Sequence, residues 1–323
     1  MAKPDDRPLQ RVLLDESSQM TTAAALVALI HGCEQLVLVG DPKQLRPISS
    51  FNSHKFSQED LDVLAPFAQE RQSVFEAFQR HRRPCMLQVQ YRMQPELCTY
   101  PSERFYDGEL VTAPSLARRP MAVGDGFVFK EGTSGHPVIF VDTCDLGGSE
   151  EQVRLGGSIS LQNRLEARVV SMLLQGFQDA GVESSRLSVI SAYSGQNSLL
   201  AQVLHGASPA ERLYQRKMRS MLIRRKGIDP LEREAHPRIG TVDGFQGNEN
   251  DFIIFSAVRS SPQGTCGFLA DRHRLCVLLT RARHGLVVVG DSSTLQRDPE
   301  WAAWLQAEKQ VVTVDAAVLQ GRN

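Results

Sequence analysis

The sequence sets two acids at the end of an apolar run, Leu13-Leu14-Asp15-Glu16. An Asp at the carboxyl end of a strand can hold Mg²⁺, and the adjacent Glu can polarise an attacking water. The same residues also read as the start of a helix, with Asp15 to Ser18 as its cap. The next apolar run ends in Gly40-Asp41-Pro42-Lys43-Gln44-Leu45-Arg46-Pro47. Gly and Pro force a tight turn that projects Lys43, Gln44 and Arg46. Gln both donates and accepts, which suits it to reporting on a phosphate or a water. A third run ends in Gln90-Tyr91-Arg92-Met93. Arg can neutralise charge on a transferring phosphoryl group, and Tyr can stack on a base. An isolated Tyr-Arg pair reads equally as a core aromatic beside a surface charge.

Two further stretches carry polar chemistry. Ile239 to Glu249 (IGTVDGFQGNE) is dense in Gly, which lets backbone approach a ligand closely. Gln246 and Glu249 then stand where phosphate, ribose or a bound strand can be met. Leu278-Leu279-Thr280-Arg281-Ala282-Arg283 places two arginines after an apolar segment. Two positions apart, they point in different directions on a helix.

The elements that position these residues are short apolar runs alternating with helical patterns. The runs are Arg11–Asp15, Gln35–Gly40, Met86–Gln90, Pro137–Val141, Leu187–Ser191, Asp251–Ala257 and Leu286–Gly290. Most are near-continuous in Val, Ile, Leu and Phe, as strands buried on both faces are. Helical patterns cover Thr21–His31, Ser73–Arg80, Arg164–Ala180, Gly195–His205 and Pro299–Lys309. Asn163 is placed to cap the third, with Glu166 three residues on completing a capping box. The alternation predicts an α/β fold, a doubly wound parallel sheet with right-handed crossovers. Residues 49–72 read as a linker or insert and residues 113–136 as a long surface connection. The basic stretch Glu211 to Arg233 reads either as a solvated helix face or as a phosphate-contacting insert.

In their order, DES-x-Q, GDPKQL-x-P, QYRM-x-P, the Asp-Gly-Phe-Gln-Gly block and LTRAR resemble motifs II to VI of superfamily 1 helicases. Within them the pattern is similar to the up-frameshift and senataxin-like branch, from about Arg11 to about Trp304. YPSERFYDGEL and ISAYSGQ add to the likeness. The resemblance implies a P-loop NTPase fold of RecA type, using ATP and Mg²⁺ on single-stranded RNA or DNA. It implies that Asp15 binds Mg²⁺, Glu16 activates water and Gln44 senses the γ-phosphate. Arg92 and Arg281 become fingers acting on the phosphates, and Tyr91 stacks on adenine. Gly247 and Glu249 line the nucleotide's edge. Movement from 5′ to 3′ is expected on the same ground. Cys276 stands where the family commonly has Asn, and the stretch from Glu211 to Pro237 is longer than usual.

No G-x-x-x-x-G-K-[ST] run occurs in the 323 residues. The expected organisation is therefore a remnant of a first RecA-like domain at 1–50 and a linker at 51–70. A complete second domain at 71–310 and a tail at 311–323 follow. A remnant of that kind leaves a strand edge and apolar surface uncovered. The expected partners are a single strand of nucleic acid and an upstream half-domain that carries the P-loop, with no membrane. The expected activity is that of an ATP-dependent helicase, present as a C-terminal portion inactive alone. The alternative is a non-catalytic module, derived from a helicase, that binds nucleic acid or a partner. A kinase or dehydrogenase on the same fold class has little support, since no G-x-G-x-x-G follows the first run.

Composition bounds these readings. Hydrophobic residues make up 41% and charged residues 23%, the balance of a globular chain. The net charge of −1 averages an Arg-rich positive set against acids, so a local basic groove is allowed. The six cysteines are widely spaced, which argues against a zinc ribbon or disulfide scaffold. A reducing compartment, cytoplasmic or nuclear, is expected.

Overall fold

The computed structural model describes residues 9–47, 72–116, 136–205, 237–307 and 311–315. The insert at 49–72, most of the connection at 113–136 and the basic stretch at 211–233 lie outside them. The chain divides into two compact units, Met1–Leu87 and Gln88–Asn323.

In the first unit, strands β1 (Arg11–Leu14) and β2 (Gln35–Leu38) pair in parallel, with Leu14 opposite Leu38. Helix α1 (Thr22–Leu29) makes the crossover, and Thr21 Oγ1 caps it by accepting from Ala24 N at 3.2 Å. Helix α2 (Val74–Gln79) starts from a reciprocal capping box between Ser73 and Glu76. It falls within this unit. Val12, Leu14, Ala25 and Val74 form a small core. Among the described residues these two strands are covered on one face. β1 alternates exposed and buried, leaving Leu13 on the open face, and Val37 and Val39 are likewise exposed. Among the described residues the two strands and their crossover helix supply no second layer for the other face.

The second unit is built on six strands, all parallel, in the spatial order Val312–Asp315, Val138–Asp142, Ala282–Gly290, Asn250–Ser256, Leu187–Ser191 and Arg238–Thr241. Before it come β3 (Val89–Gln90), helix α3 (Pro95–Phe105) and β4 (Val111–Thr112). The sheet then begins with β5 (Val138–Asp142), followed by an antiparallel hairpin, β6 (Glu151–Leu155) and β7 (Ser158–Gln162). Helix α4 (Arg164–Asp179), β8 (Leu187–Ser191) and helix α5 (Ser194–His205) continue the winding. Then come β9 (Arg238–Thr241), helix α6 (Val242–Phe245) and β10 (Asn250–Ser256). Helix α7 (Arg272–Leu279) returns the chain to β11 (Ala282–Gly290). Helices α8 (Ser292–Leu295) and α9 (Pro299–Leu305) and strand β12 (Val312–Asp315) close the order.

Here both faces are covered, which is why the strand residues are apolar almost without interruption. On one face, Ile139, Val189, Ile254 and Val287 pack against Val170, Leu173 and Phe177 of α4. On the other, Phe140 meets Trp304 edge-on at 6.1 Å and Phe255 stacks on Trp301 at 6.2 Å. The doubly wound parallel sheet expected from the alternation is present. The run expected at 86–90 is cut to two residues. Its only ladder partner among the described residues is the two-residue β4, and Met86 and Leu87 are exposed.

Candidate functional site

In the first unit, the candidates stand at the carboxyl ends of β1 and β2. The chain leaves β1 through Asp15 and Glu16, and Glu16 takes a left-handed backbone at φ 50°. That turn aims the next residues at the end of β2. Ser17 N and Oγ both donate to Val39 O, at 2.8 and 2.7 Å, and Ser18 Oγ accepts from Asp41 N at 3.2 Å. A Cβ on Gly40 would lie 2.8 Å from Ser18 N, so glycine is what permits this approach. The helix start read at Asp15 to Ser18 proves to be a short turn at Ser17–Gln19 capped by backbone, and α1 begins later.

Asp15 is exposed, and its Oδ1 accepts from Glu16 N at 2.9 Å. Gln19 Nε2 donates to Glu16 Oε2 at 3.1 Å. Gln44 Nε2 donates to Asp41 Oδ2 at 2.8 Å, and Lys43 N to Asp41 Oδ1 at 2.9 Å. Asp41 thus shapes the turn and orients Gln44. An exposed carboxylate suits Mg²⁺, which binds through one or two carboxylates plus waters and substrate phosphates. Among the described residues no group of three or more His, Cys, Asp or Glu is gathered to hold a metal.

In the second unit, the candidates gather where β10 and β11 begin, the amino end of the sheet. Gln90 builds the turn that presents Arg92: its Oε1 accepts from Arg92 N and Met93 N, both at 2.8 Å. Arg92 Nε donates to Glu249 Oε2, and its Nη1 to Thr280 O at 3.1 Å. Arg283 grips the other oxygen, with Nε and Nη2 at 3.0 and 2.7 Å from Glu249 Oε1. Glu249 therefore sits between two guanidiniums. Partial burial opposes its ionisation, but Arg283 and Arg92 outweigh that and hold the carboxyl below its usual range. Hydrogen bonding to Glu249 in turn raises Arg283. Tyr91 stands beside them with 73% of its surface exposed. Gly247, at φ 74°, turns the chain toward Glu249.

Arg281 adjoins this cluster through Thr280 and Asn248 but is buried. Only 2% of it is exposed, and its guanidinium donates to Val277 O at 2.9 Å, Thr280 Oγ1 at 2.8 Å and Asn248 O at 3.4 Å. The two arginines of LTRAR thus have different surroundings, as their spacing suggested. The segment is not one helix, however. α7 stops at Leu279 and β11 opens at Ala282, so Arg281 sits in the joint and Arg283 on the strand. Arg283, the second arginine of LTRAR, is a member of the cluster to which the sequence alone assigned no role. A signal was present, since Glu249 ends the Gly-rich loop just before the adjacent strand.

The opposite, carboxyl end of the sheet holds a different arrangement. Asn163 caps α4, its Oδ1 accepting from Glu166 N at 3.1 Å. The capping box expected there does not form. Asn163 N donates to Gln196 Oε1 at 2.7 Å, and the Glu166 side chain turns inward. Its Oε2 accepts from Ser256 Oγ at 2.7 Å and Val258 N at 2.8 Å. Val258 holds φ 72°, a costly conformation for a β-branched residue. Glu166 is fully buried, and burial pushes its carboxyl up to about 8.

Comparison with known proteins gives two family matches. A family profile described as AAA domain matches residues 70–293, and a second of that description matches residues 5–50. A regulator of nonsense transcripts 1 homolog of Arabidopsis thaliana is 34% identical over 93% of this chain and 21% of its own length. The ATP-dependent helicase NAM7 of Saccharomyces cerevisiae is 32% identical, over 92% of this chain and 27% of its own. The DNA polymerase alpha-associated DNA helicase A of Schizosaccharomyces pombe is 30% identical, over 96% of this chain and 42% of its own. The chain thus spans from about a fifth to two fifths of these relatives. Among solved structures, an arterivirus non-structural protein 10 helicase aligns at 14% identity over 86% of this chain and 38% of that one. Its TM-score of 0.37 is too low to bear on the fold.

Proposed function

The chain belongs to the AAA-domain family, in the up-frameshift-like branch of superfamily 1 helicases with a RecA-like fold, and we propose that it is the part of an ATP-dependent helicase or translocase that carries motifs II to VI. The observation that supports this reading most is the convergence of Arg92 and Arg283 on Glu249, beside exposed Tyr91. It gathers a phosphate-neutralising side chain, the carboxylate that orients it and a ring for a base.

In this reading Asp15 holds Mg²⁺, which when bound draws charge from the phosphates. Glu16 accepts a proton from the attacking water, and Gln44 reports on the γ-phosphate from a turn set by Asp41. Arg92 neutralises charge on the transferring phosphoryl group, held in place by Glu249. Arg281 is proposed for the same task, which requires its guanidinium to exchange Val277 O and Asn248 O for phosphate. Tyr91 stacks on adenine, and Gly247 lets the chain pass close to the nucleotide.

The substrate track is a single strand of RNA or DNA, read 5′ to 3′. One similar protein is named for nonsense transcripts and another as a DNA helicase, so either sugar is compatible. The six cysteines described are all free, in keeping with a reducing cytoplasm or nucleus. Among the described residues no helix is long and apolar enough to cross a membrane.

ATP turnover is proposed to need a P-loop from an upstream half-domain, because amides and a Lys must cradle the phosphates. The test is phosphate release and strand binding by these 323 residues. Strand binding with only background turnover is expected. Turnover at helicase-like rates would overturn the P-loop reading, and absence of strand binding would overturn the helicase reading. In a form that carries the P-loop, Arg92→Ala is expected to lower turnover about 10³-fold or more. An unchanged rate removes Arg92 from that role.

A further inference from the structure

The carboxyl end of the second sheet carries a feature that none of the motifs accounts for. Phe268 lies in a short 3₁₀ turn, Gly267–Ala270, between β10 and α7, with 53% of its surface exposed. A lone exposed apolar side chain is ordinary. This one is held in place on two sides. The Tyr193 ring, just past the end of β8, meets it edge-on at 5.8 Å and 69°. The Arg274 guanidinium lies over the ring, 4.9 Å from its centroid. Arg274 is itself fixed, donating to both carboxylate oxygens of Asp243 at 2.9 and 3.0 Å and to Asp271 at 3.2 Å.

The backbone is shaped to the same end. Gly267 holds φ 56°, and a Cβ there would come within 3.0 Å of Tyr193 Oη and 3.1 Å of Arg259 Nη1. Glycine therefore lets the turn settle onto Tyr193 and carry Phe268 outward. The location is the carboxyl end of β8, β9 and β10, where open α/β sheets bind their ligands.

The size of the apolar surface limits what fits. The other exposed residues between 260 and 274 are Pro262, Gln263, Thr265, Gly267, Ala270 and Arg272, all small, polar or charged. Within this segment the exposed apolar area is thus about one ring wide. A protein interface needs hundreds of Å² of such surface. One planar group on a cation-backed ring is the match, and a nucleobase is planar whatever its sequence.

We propose that Phe268, braced by Tyr193 and Arg274, is a stacking platform for one unpaired base of the bound strand. This rests on the strand-binding reading above and adds to it a base contact independent of sequence. Arg274 is neutralised by Asp243 and Asp271, so the contact is stacking and not phosphate attraction.

The experiment is fluorescence anisotropy with labelled oligo(dT) and oligo(U), and with an abasic strand of the same length. Phe268→Ala is expected to weaken binding of both base-bearing strands by about 5- to 100-fold, the range of one lost base–aromatic stack. The loss persists at high salt, where phosphate contacts fade. Phe268→Trp restores affinity and Phe268→Leu does not. Wild type and Phe268→Ala bind the abasic strand alike. Ultraviolet irradiation of a strand carrying 5-bromouracil joins it to the peptide holding Phe268. If the wild type binds strand and Phe268→Ala binds it equally, the platform is overturned and the helicase reading stands. If the wild type binds no strand, both fail. An equal loss on the abasic strand assigns Phe268 to backbone shape and overturns stacking.

Discussion

The two ends of strand β10 each meet a glutamate, and the two glutamates are handled in opposite ways. At the amino end Glu249 stays partly open to solvent between Arg92 and Arg283, and its carboxyl is held low. At the carboxyl end Glu166 is fully buried, faces Ser256 and the Val258 amide, and is pushed up to about 8. The Glu249 charge is balanced by two partly exposed guanidiniums. A carboxyl fixed to a hydroxyl and a backbone amide can only hold shape. The first carboxylate is thus held as a charge between cations, and the second holds local geometry, including the left-handed turn at Val258.

The contrast breaks most visibly at the buried end. Glu166→Ala leaves Ser256 Oγ and Val258 N without their acceptor and opens a void. A loss of about 3–5 kcal/mol in stability is expected by urea unfolding of the second unit. A loss below about 1 kcal/mol would mean that the turn at Val258 holds without its clamp.

The pH dependence separates the two glutamates next. Glu166 has a raised folded value, so between about 4.5 and 8 the unfolded chain ionises it while the folded chain keeps it protonated. Its contribution is complete below about 4.5 and is lost as pH rises toward 8. Glu249 has a lowered folded value. Its contribution is present above the usual carboxylate range and is lost as pH falls through the folded value. Denaturation midpoints across pH should show Glu166→Gln flattening the neutral-range decline and Glu249→Gln flattening the acid-range one. Identical slopes in the two variants would erase the distinction.

The smallest effect on stability is expected at the arginine end. Glu249→Ala removes ion pairs that are partly exposed, and such pairs contribute about 0–1 kcal/mol. Unfolding should shift by no more than that, while Arg92 and Arg283 lose their common anchor. In a form that carries the P-loop, turnover should then fall with the fold intact. A stability loss as large as that of Glu166→Ala would make Glu249 a structural residue like its counterpart.

Much of the architecture was legible in the sequence because buried parallel strands leave few choices. Leu187–Ser191 and the body of β10 read as strands from continuous apolar runs, and α4 from its apolar stripe and Asn163 cap. The β6–β7 hairpin was missed although its signal was present, alternating residues on either side of Gly156-Gly157. Helix α7 was missed because RHRLCVLL mixes charge and apolar residues without a clear face. In the site, Arg92 and Glu249 were both singled out, yet 157 positions separate them and nothing local says that they touch. Asn163 and Glu166 carry the local signature of a capping box. Only the presence of Gln196, Ser256 and Val258 at the same point redirects them.

The sequence by itself determined the order of the motifs, and through them the family, because chemistry on phosphates needs particular residue types at strand ends. It also determined the parallel sheet, because the runs are too apolar to face water. The tertiary structure decided which charges meet and which ring stays exposed. Glu249 joins Arg92 to Arg283, Arg281 turns inward, and Phe268 is left facing solvent between Tyr193 and Arg274. The physical reason is range: propensity and hydrophobic pattern act over a few residues, whereas partnership and burial are fixed where distant segments pack.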